Sequence, residues 1–129
     1  MKKIYALVLL SFLVFPSFIF AQYGWKIDSL RQALAKTRSD TLRVTQYADI
    51  AKYFVLEGRH LDSAEYYARQ TISLGLATKH LFGTEKGYFC LAYIFDVRGE
   101  RESSLYYYQK ALEIPVSYTH LTLPTILLV

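Results

Sequence analysis

Tyr47, Ile50, Ala51, Phe54 and Gly58 recur as Tyr88, Leu91, Ala92, Phe95 and Gly99, each pair 41 residues apart. The first four members of each set stand at i, i+3, i+4 and i+7, the spacing that lines side chains along one face of an α-helix. Beyond the glycines, Ala64, Tyr66, Tyr67 and Ile72 recur as Ser104, Tyr106, Tyr107 and Leu112, now 40 residues apart. The one-residue slip falls between Gly58 and Ala64, in a turn, where chains tolerate insertions. A helix pair of this kind cannot bury its apolar face alone, so the pattern requires pairs stacked against one another.

Each unit reads as helix, glycine turn, helix. Gly58 and Gly99 are placed to supply the left-handed conformation that closes a helix at little steric cost. Asp40 in "RSDTLR" is expected to cap the first helix, and Asp62 or Ser63, with Ser103, to cap the second helices. Ahead of the repeats, "KIDSLRQALAKT" carries Ile27, Leu30 and Leu34 on one face, which predicts a leading helix packed on the first unit.

With the pattern laid out, "GYFCLAYIFDVRGERESSLYYYQKALEI" resembles a tetratricopeptide repeat. Tyr88, Leu91, Ala92, Phe95, Gly99, Ser104, Tyr108, Ala111 and Leu112 occupy the positions that carry the likeness. The earlier unit departs from it, with Ala68 where an aromatic is expected and Thr71 where alanine is usual. The period also exceeds the usual value of about 34 residues, and most of the excess lies in "SLGLATKHLFGTEKG". The resemblance implies an all-α fold of helix-turn-helix repeats forming a short right-handed solenoid, with units at residues 40–79 and 80–114.

The same resemblance implies a surface for a protein or peptide partner, on the concave side lined by the first helices. Exposed positions there would include Arg43, Gln46, Asp49, Lys52 and Tyr53 in the first unit. In the second they would be Glu85, Lys86, Phe89, Tyr93 and Asp96. Members of the family that grip chaperone C-termini use a carboxylate clamp containing asparagines, and this chain has no asparagine, which argues against that mode. Longer repeats opening with "SDTLRVTQYADIAKYF" after a leader resemble the exported N-terminal regions of bacterial envelope sensor histidine kinases and related regulators. A free-standing periplasmic scaffold, and a fragment of an enzyme whose catalytic domain lies past Ile114, are the alternative readings.

The leader itself is "MKKIYALVLLSFLVFPSFIFAQ", in which Lys2 and Lys3 precede seventeen uncharged, mostly apolar residues and then Ala21. This is the anatomy of a secretory signal peptide spanning residues 1–21, with a linker and the leading helix over 22–39. An uncleaved membrane anchor is the other reading, but Ser11, Pro16 and Ser17 interrupt the run and favour cleavage. Export to the periplasm or envelope follows, with membrane contact only through an uncleaved leader or a segment further downstream. Cleavage would remove two lysines and no acid, lowering the formal charge from +4 to +2, since 13 basic residues then face 11 acidic ones. So small a surplus gives no footprint for nucleic acid. Cys90 is the only cysteine, it stands in the apolar run "GYFCLAYIF", and it reads as a buried thiol without a disulfide partner.

Residues 115–129 break with everything before them: "PVSYTHLTLPTILLV" holds no charged residue. Val116 to Thr125, "VSYTHLTLPT", is similar to the in-frame translation of a transposase adapter used in sequencing libraries, and Pro115 and the last four residues fit the bases on either side. The expectation is a non-native tail, with the natural polypeptide continuing past Ile114.

Groups for catalysis or cofactor binding are sparse. His60, Asp62 and Ser63 are the residue types of a hydrolase triad, but within one turn they lack the geometry for nucleophile, base and orienting group, and capping explains them better. His60, His80 and His120 lack metal-ligand spacing. Gly83 and Gly87 read as punctuation in a connection rather than a phosphate loop. Tyr66, Tyr67, Tyr106, Tyr107 and Tyr108 are expected to pack between helices with their hydroxyls reaching water. No enzyme activity and no cofactor is expected.

Overall fold

The computed structural model describes residues 2–115, and the side chains of all of these except 12–21. Of the expected non-native tail, residues 115–129, all but Pro115 lie outside the described residues, His120 among them. Over the described residues the chain is all-helical: α1 (Lys2–Lys36), α2 (Asp40–Glu57), α3 (Leu61–Ala77), α4 (Leu81–Val97) and α5 (Arg101–Leu112). Three residues separate each helix from the next. Connections that short turn each helix back along its predecessor. Successive helices accordingly pack together, and α4 also reaches α2.

Four of the pairs matched in sequence share burial, whereas Ile72 is half-buried and its counterpart Leu112 is 75% exposed. Ile50 and Leu91, Ala51 and Ala92, Phe54 and Phe95, and Ala64 and Ser104 are all buried. Ile27, Ile50, Phe54, Ala64 and Ile94 form one apolar cluster, against which Leu30 and Leu34 of α1 pack as expected of a leading helix. Ala51, Ala68, Leu91 and Phe95 form the second. Full burial of an Ile or Leu side chain contributes roughly 1.5–3 kcal/mol, so the matched pairs carry much of the cohesion.

Ring packing repeats as well. Phe54 stacks on Tyr67 at 5.8 Å between centroids, and Phe95 on Tyr107 at 5.4 Å. Tyr66 and Tyr106 stand edge-on to those same tyrosines at 5.2 and 5.1 Å. The two inner hydroxyls differ from expectation, because a guanidinium reaches each of them. Arg31 Nε donates to the Tyr67 hydroxyl at 3.1 Å and Arg69 NH1 to that of Tyr107 at 3.5 Å, each arginine coming from the helix two before that of its tyrosine.

Helix closure follows the predicted glycines. Gly58 (φ 73°) and Gly99 (φ 79°) lie in the left-handed region, and the Gly58 amide donates to the Phe54 carbonyl at 3.0 Å. The third closure uses Lys79 at φ 55°, with the His80 amide donating to the Gly75 carbonyl at 2.8 Å. No glycine marks that site.

The expected caps shift by one to three residues. Ser39, His60 and Glu100 take the capping positions of α2, α3 and α5 without a side-chain cap bond, and Asp40, Asp62, Ser63 and Ser103 lie within the helices. Asp62 in the first turn of α3 still favours the positive end of the helix dipole.

Gly83 and Gly87 do not punctuate a connection; both are buried inside α4. A Cβ on Gly83 would collide with Val44 Cγ1 of α2, and one on Gly87 would stand 2.7 Å from Ile72 Cγ1 and 3.1 Å from the Ala68 carbonyl oxygen of α3. Gly75 of α3 has the same role in reverse, since a Cβ there would collide with Thr84 Oγ1. The long repeat is thus accommodated as helix: α3 and α4 have 17 residues each, with glycine accepted where two helix backbones approach.

A break after Ala21 is absent from the backbone, which is helical from Lys2 to Lys36. Ile4, Leu7, Val8, Leu9 and Leu10 on its first part are exposed. Among the described residues no helix is long and apolar enough to cross a membrane.

Candidate interaction surface

Repeat register identifies positions that share a face on α2 and α4. Lys52 corresponds to Tyr93, and Leu56 to Val97, each pair 41 residues apart. All four are exposed, Leu56 and Val97 at 54% each and Tyr93 at 45%. Two aliphatic side chains are thus open at equivalent repeat positions, each one helical turn beyond Lys52 or Tyr93. Sequence reasoning had named Lys52 and Tyr93 but missed Leu56 and Val97. Advancing the same register by four residues would have found them.

Charge surrounds that apolar strip. Lys52 pairs with Asp49 at 3.6 Å and lies 4.9 Å from the centre of the Tyr53 ring. Lys86 lies 4.4 Å from the centre of the Phe82 ring. Both lysines act on Cys90, which ties the middle of α2 to the middle of α4: burial pushes the Cys90 thiol up to about 11, against the pull of Lys86 and Lys52. The thiol is therefore protonated near neutral pH and serves as a small packing group.

The remaining candidates separate. Gln46 Nε2 donates to Thr37 Oγ1 at 2.9 Å, at the connection between α1 and α2. Arg43 donates to the Tyr47 hydroxyl at 3.2 Å and is half-buried. Tyr53 turns to α1, packing 6.0 Å from Tyr23 and lining a shallow cleft of 180 Å³ with Gln22, Tyr23, Trp25 and Lys26. Phe89 turns to α5, edge-on to Tyr108 at 6.0 Å. Glu85 is half-buried and Asp96 exposed. Asp49, Lys52, Lys86 and Tyr93 are the expected residues that stay with the α2 and α4 strip.

The triad-like residues sit elsewhere, at the start of α3. His60, Asp62 and Ser63 line a polar cleft of 470 Å³ with Arg59, Leu61 and Arg98. Asp62 is committed to Arg98 NH2 at 2.6 Å, and the His60 ring stands edge-on to Phe54 at 6.3 Å. Arg98 also donates to Glu65 at 2.5 Å, and Arg69 pairs with Glu65 at 2.8 Å. Burial raises the Glu65 carboxyl, but the hydrogen bonds from Arg98 and Arg69 outweigh it and hold the group below its ordinary range. This network ties the end of α4 to the start of α3.

His80 caps α4, its Nδ1 accepting from the Gly83 amide at 3.0 Å. Among the described residues no three His, Cys, Asp or Glu side chains cluster closely enough to hold a metal ion. Compared with protein families, curated proteins and solved structures, the chain matches none.

Proposed function

We propose that this protein is a non-catalytic interaction scaffold of tetratricopeptide type. It is an exported repeat segment of a bacterial envelope signalling protein, and it recognises a protein or peptide through the face shared by α2 and α4. The observation that carries the reading is the register of exposed side chains, Lys52 and Leu56 on one helix matched by Tyr93 and Val97 on the next. Aliphatic and aromatic contacts flanked by lysines suit a short segment with apolar side chains and acidic neighbours. The internal repeat, the small residues at the helix seams and the αL closures support the family assignment.

Screening the full chain against a displayed peptide library tests the reading. Binders should contain an apolar residue beside an acidic one, and Tyr93→Ala or Lys52→Ala should weaken them at least tenfold with the helical spectrum unchanged. Binders indifferent to both substitutions, or mapped by amide shifts to the far side of α3 and α5, would remove the proposal.

A further inference from the structure

A cleft of 280 Å³ opens where α3, α4 and α5 meet. Leu91 is buried at its floor, Ile72, Tyr88 and Tyr107 are half-buried walls, and Arg69, Ser73 and Tyr106 stand exposed at its mouth. The Tyr88 and Tyr107 rings lie 25° from parallel with centroids 6.3 Å apart, so the cleft presents aromatic faces as well as edges.

The first repeat has a related stack with its arginine placed differently. There Arg31 bonds the Tyr67 hydroxyl and lies 5.3 Å from the centre of the Phe54 ring and 5.7 Å from that of Tyr67. Its acidic neighbour, Asp28, is 3.9 Å away. Arg69 bonds the Tyr107 hydroxyl, but Glu65 takes its Nε at 2.9 Å and its NH2 at 2.8 Å. Those bonds leave N–H groups on both terminal nitrogens of Arg69 for a ligand.

Charge around the cleft is matched. Glu65 pairs with both Arg69 and Arg98, and Arg98 pairs also with Asp62. Lys110, 5.6 Å from the centre of the Tyr106 ring, pairs with Glu113 at 3.4 Å. An ionic ligand therefore finds little net charge to repay its desolvation. What the cleft offers instead is hydroxyls: those of Ser73, Tyr88 and Tyr106 have no hydrogen-bond partner among the described residues, and each can both donate and accept.

A sugar ring carries the complementary groups, with hydroxyls around its edge that donate and accept, and C–H bonds on its faces that suit the negative face of an aromatic ring. The volume is just below the range of about 300–1,000 Å³ that holds drug-sized ligands, which limits the occupant to one ring. We propose that the cleft between α3, α4 and α5 binds a single neutral sugar ring, its C–H face against the tyrosines and its hydroxyls on Ser73, Tyr88, Tyr106 and Arg69. The site shares no residue with the peptide-recognition face of α2 and α4, so either can fail without the other.

Titration of the 129-residue chain with the methyl glycosides of glucose, galactose, mannose and N-acetylglucosamine, followed by amide and tyrosine-ring shifts, tests it. At least one should saturate at about 1–10 mM, an affinity suited to a small ligand held by few contacts, and shift residues 69–73, 88 and 106–107. Ser73→Ala and Tyr106→Ala, both at exposed positions, should each weaken that binding about fivefold with the helical spectrum unchanged, the usual effect of one lost hydrogen bond. If Tyr106→Ala disturbs α5, Ser73→Ala decides. The anion 4-hydroxyphenylacetate should leave the sugar-induced shifts in place. Three results would overturn the proposal: no saturation by any of these glycosides at concentrations tenfold above that range, binding indifferent to Ser73→Ala, or tighter binding of 4-hydroxyphenylacetate at the same residues.

Discussion

Replacing Gly87 by alanine sets two effects of known size against each other. In the interior of a helix the exchange alone favours alanine by about 1 kcal/mol. At this position the new methyl would stand 2.7 Å from Ile72 Cγ1 and 3.1 Å from the Ala68 carbonyl oxygen. The first contact involves a side-chain atom next to its own backbone and the second is backbone, so α3 and α4 must move apart. Overpacking of this kind costs roughly 1–3 kcal/mol. The expected result is a net loss of up to about 2 kcal/mol, a fall of about 4–8 °C in Tm per kcal/mol for a body of this size. Gly24→Ala in α1, where a Cβ would meet nothing within 4 Å, is the matched control and should be neutral or stabilising. Thermal melts of the full-length variants by circular dichroism would read the difference. Adding Ile72→Ala should recover part of the Gly87→Ala loss, giving a coupling of about 0.5 kcal/mol or more. If Gly87→Ala stabilises the protein as much as Gly24→Ala does, the close seam between α3 and α4 is wrong.

Glu65 has a lowered pKa in the folded protein, so its contribution is fully present above its ordinary value of 4.5 and is lost as pH falls through the lowered one. Glu65→Gln should therefore cost about 1 kcal/mol at neutral pH and flatten the decline of stability below that value, read by urea titration at several pH values. At Lys79, where φ is 55°, glycine should relieve αL strain of about 1–2 kcal/mol less the entropy glycine carries in the unfolded chain, a net gain of about 0.5 kcal/mol. Lys79→Val should instead lower the melting temperature. His80→Ala removes the acceptor for the Gly83 amide and should cost about 1 kcal/mol, while His80→Asn keeps most of the stability because its side-chain oxygen can take the same bond.

The matched apolar positions were legible in the sequence because burial selects them at helical spacing: Ile50, Ala51 and Phe54 with Leu91, Ala92 and Phe95 all lie inside. Gly58 and Gly99 were legible for a similarly local reason, since a left-handed residue closing a helix favours glycine whatever surrounds it. Both kinds of signal depend on a residue and its near neighbours along the chain. Lys79, Gly83 and Gly87 carried no such signal. Lys79 closes a helix without being glycine, and the two glycines, which locally read as a loop, are helical because α2 and α3 press against them. The candidate surface divides in the same way: alternation along α2 and α4 marked Lys52 and Tyr93 as outward, whereas the turning of Tyr53 toward α1 and Phe89 toward α5 depends on where neighbouring helices lie. Local spacing determined which residues form helices and which face seeks cover. Contacts between residues 30 to 40 apart in the chain, such as Arg98 with Glu65, were decided only by packing, because no local pattern encodes the distance between two helix axes.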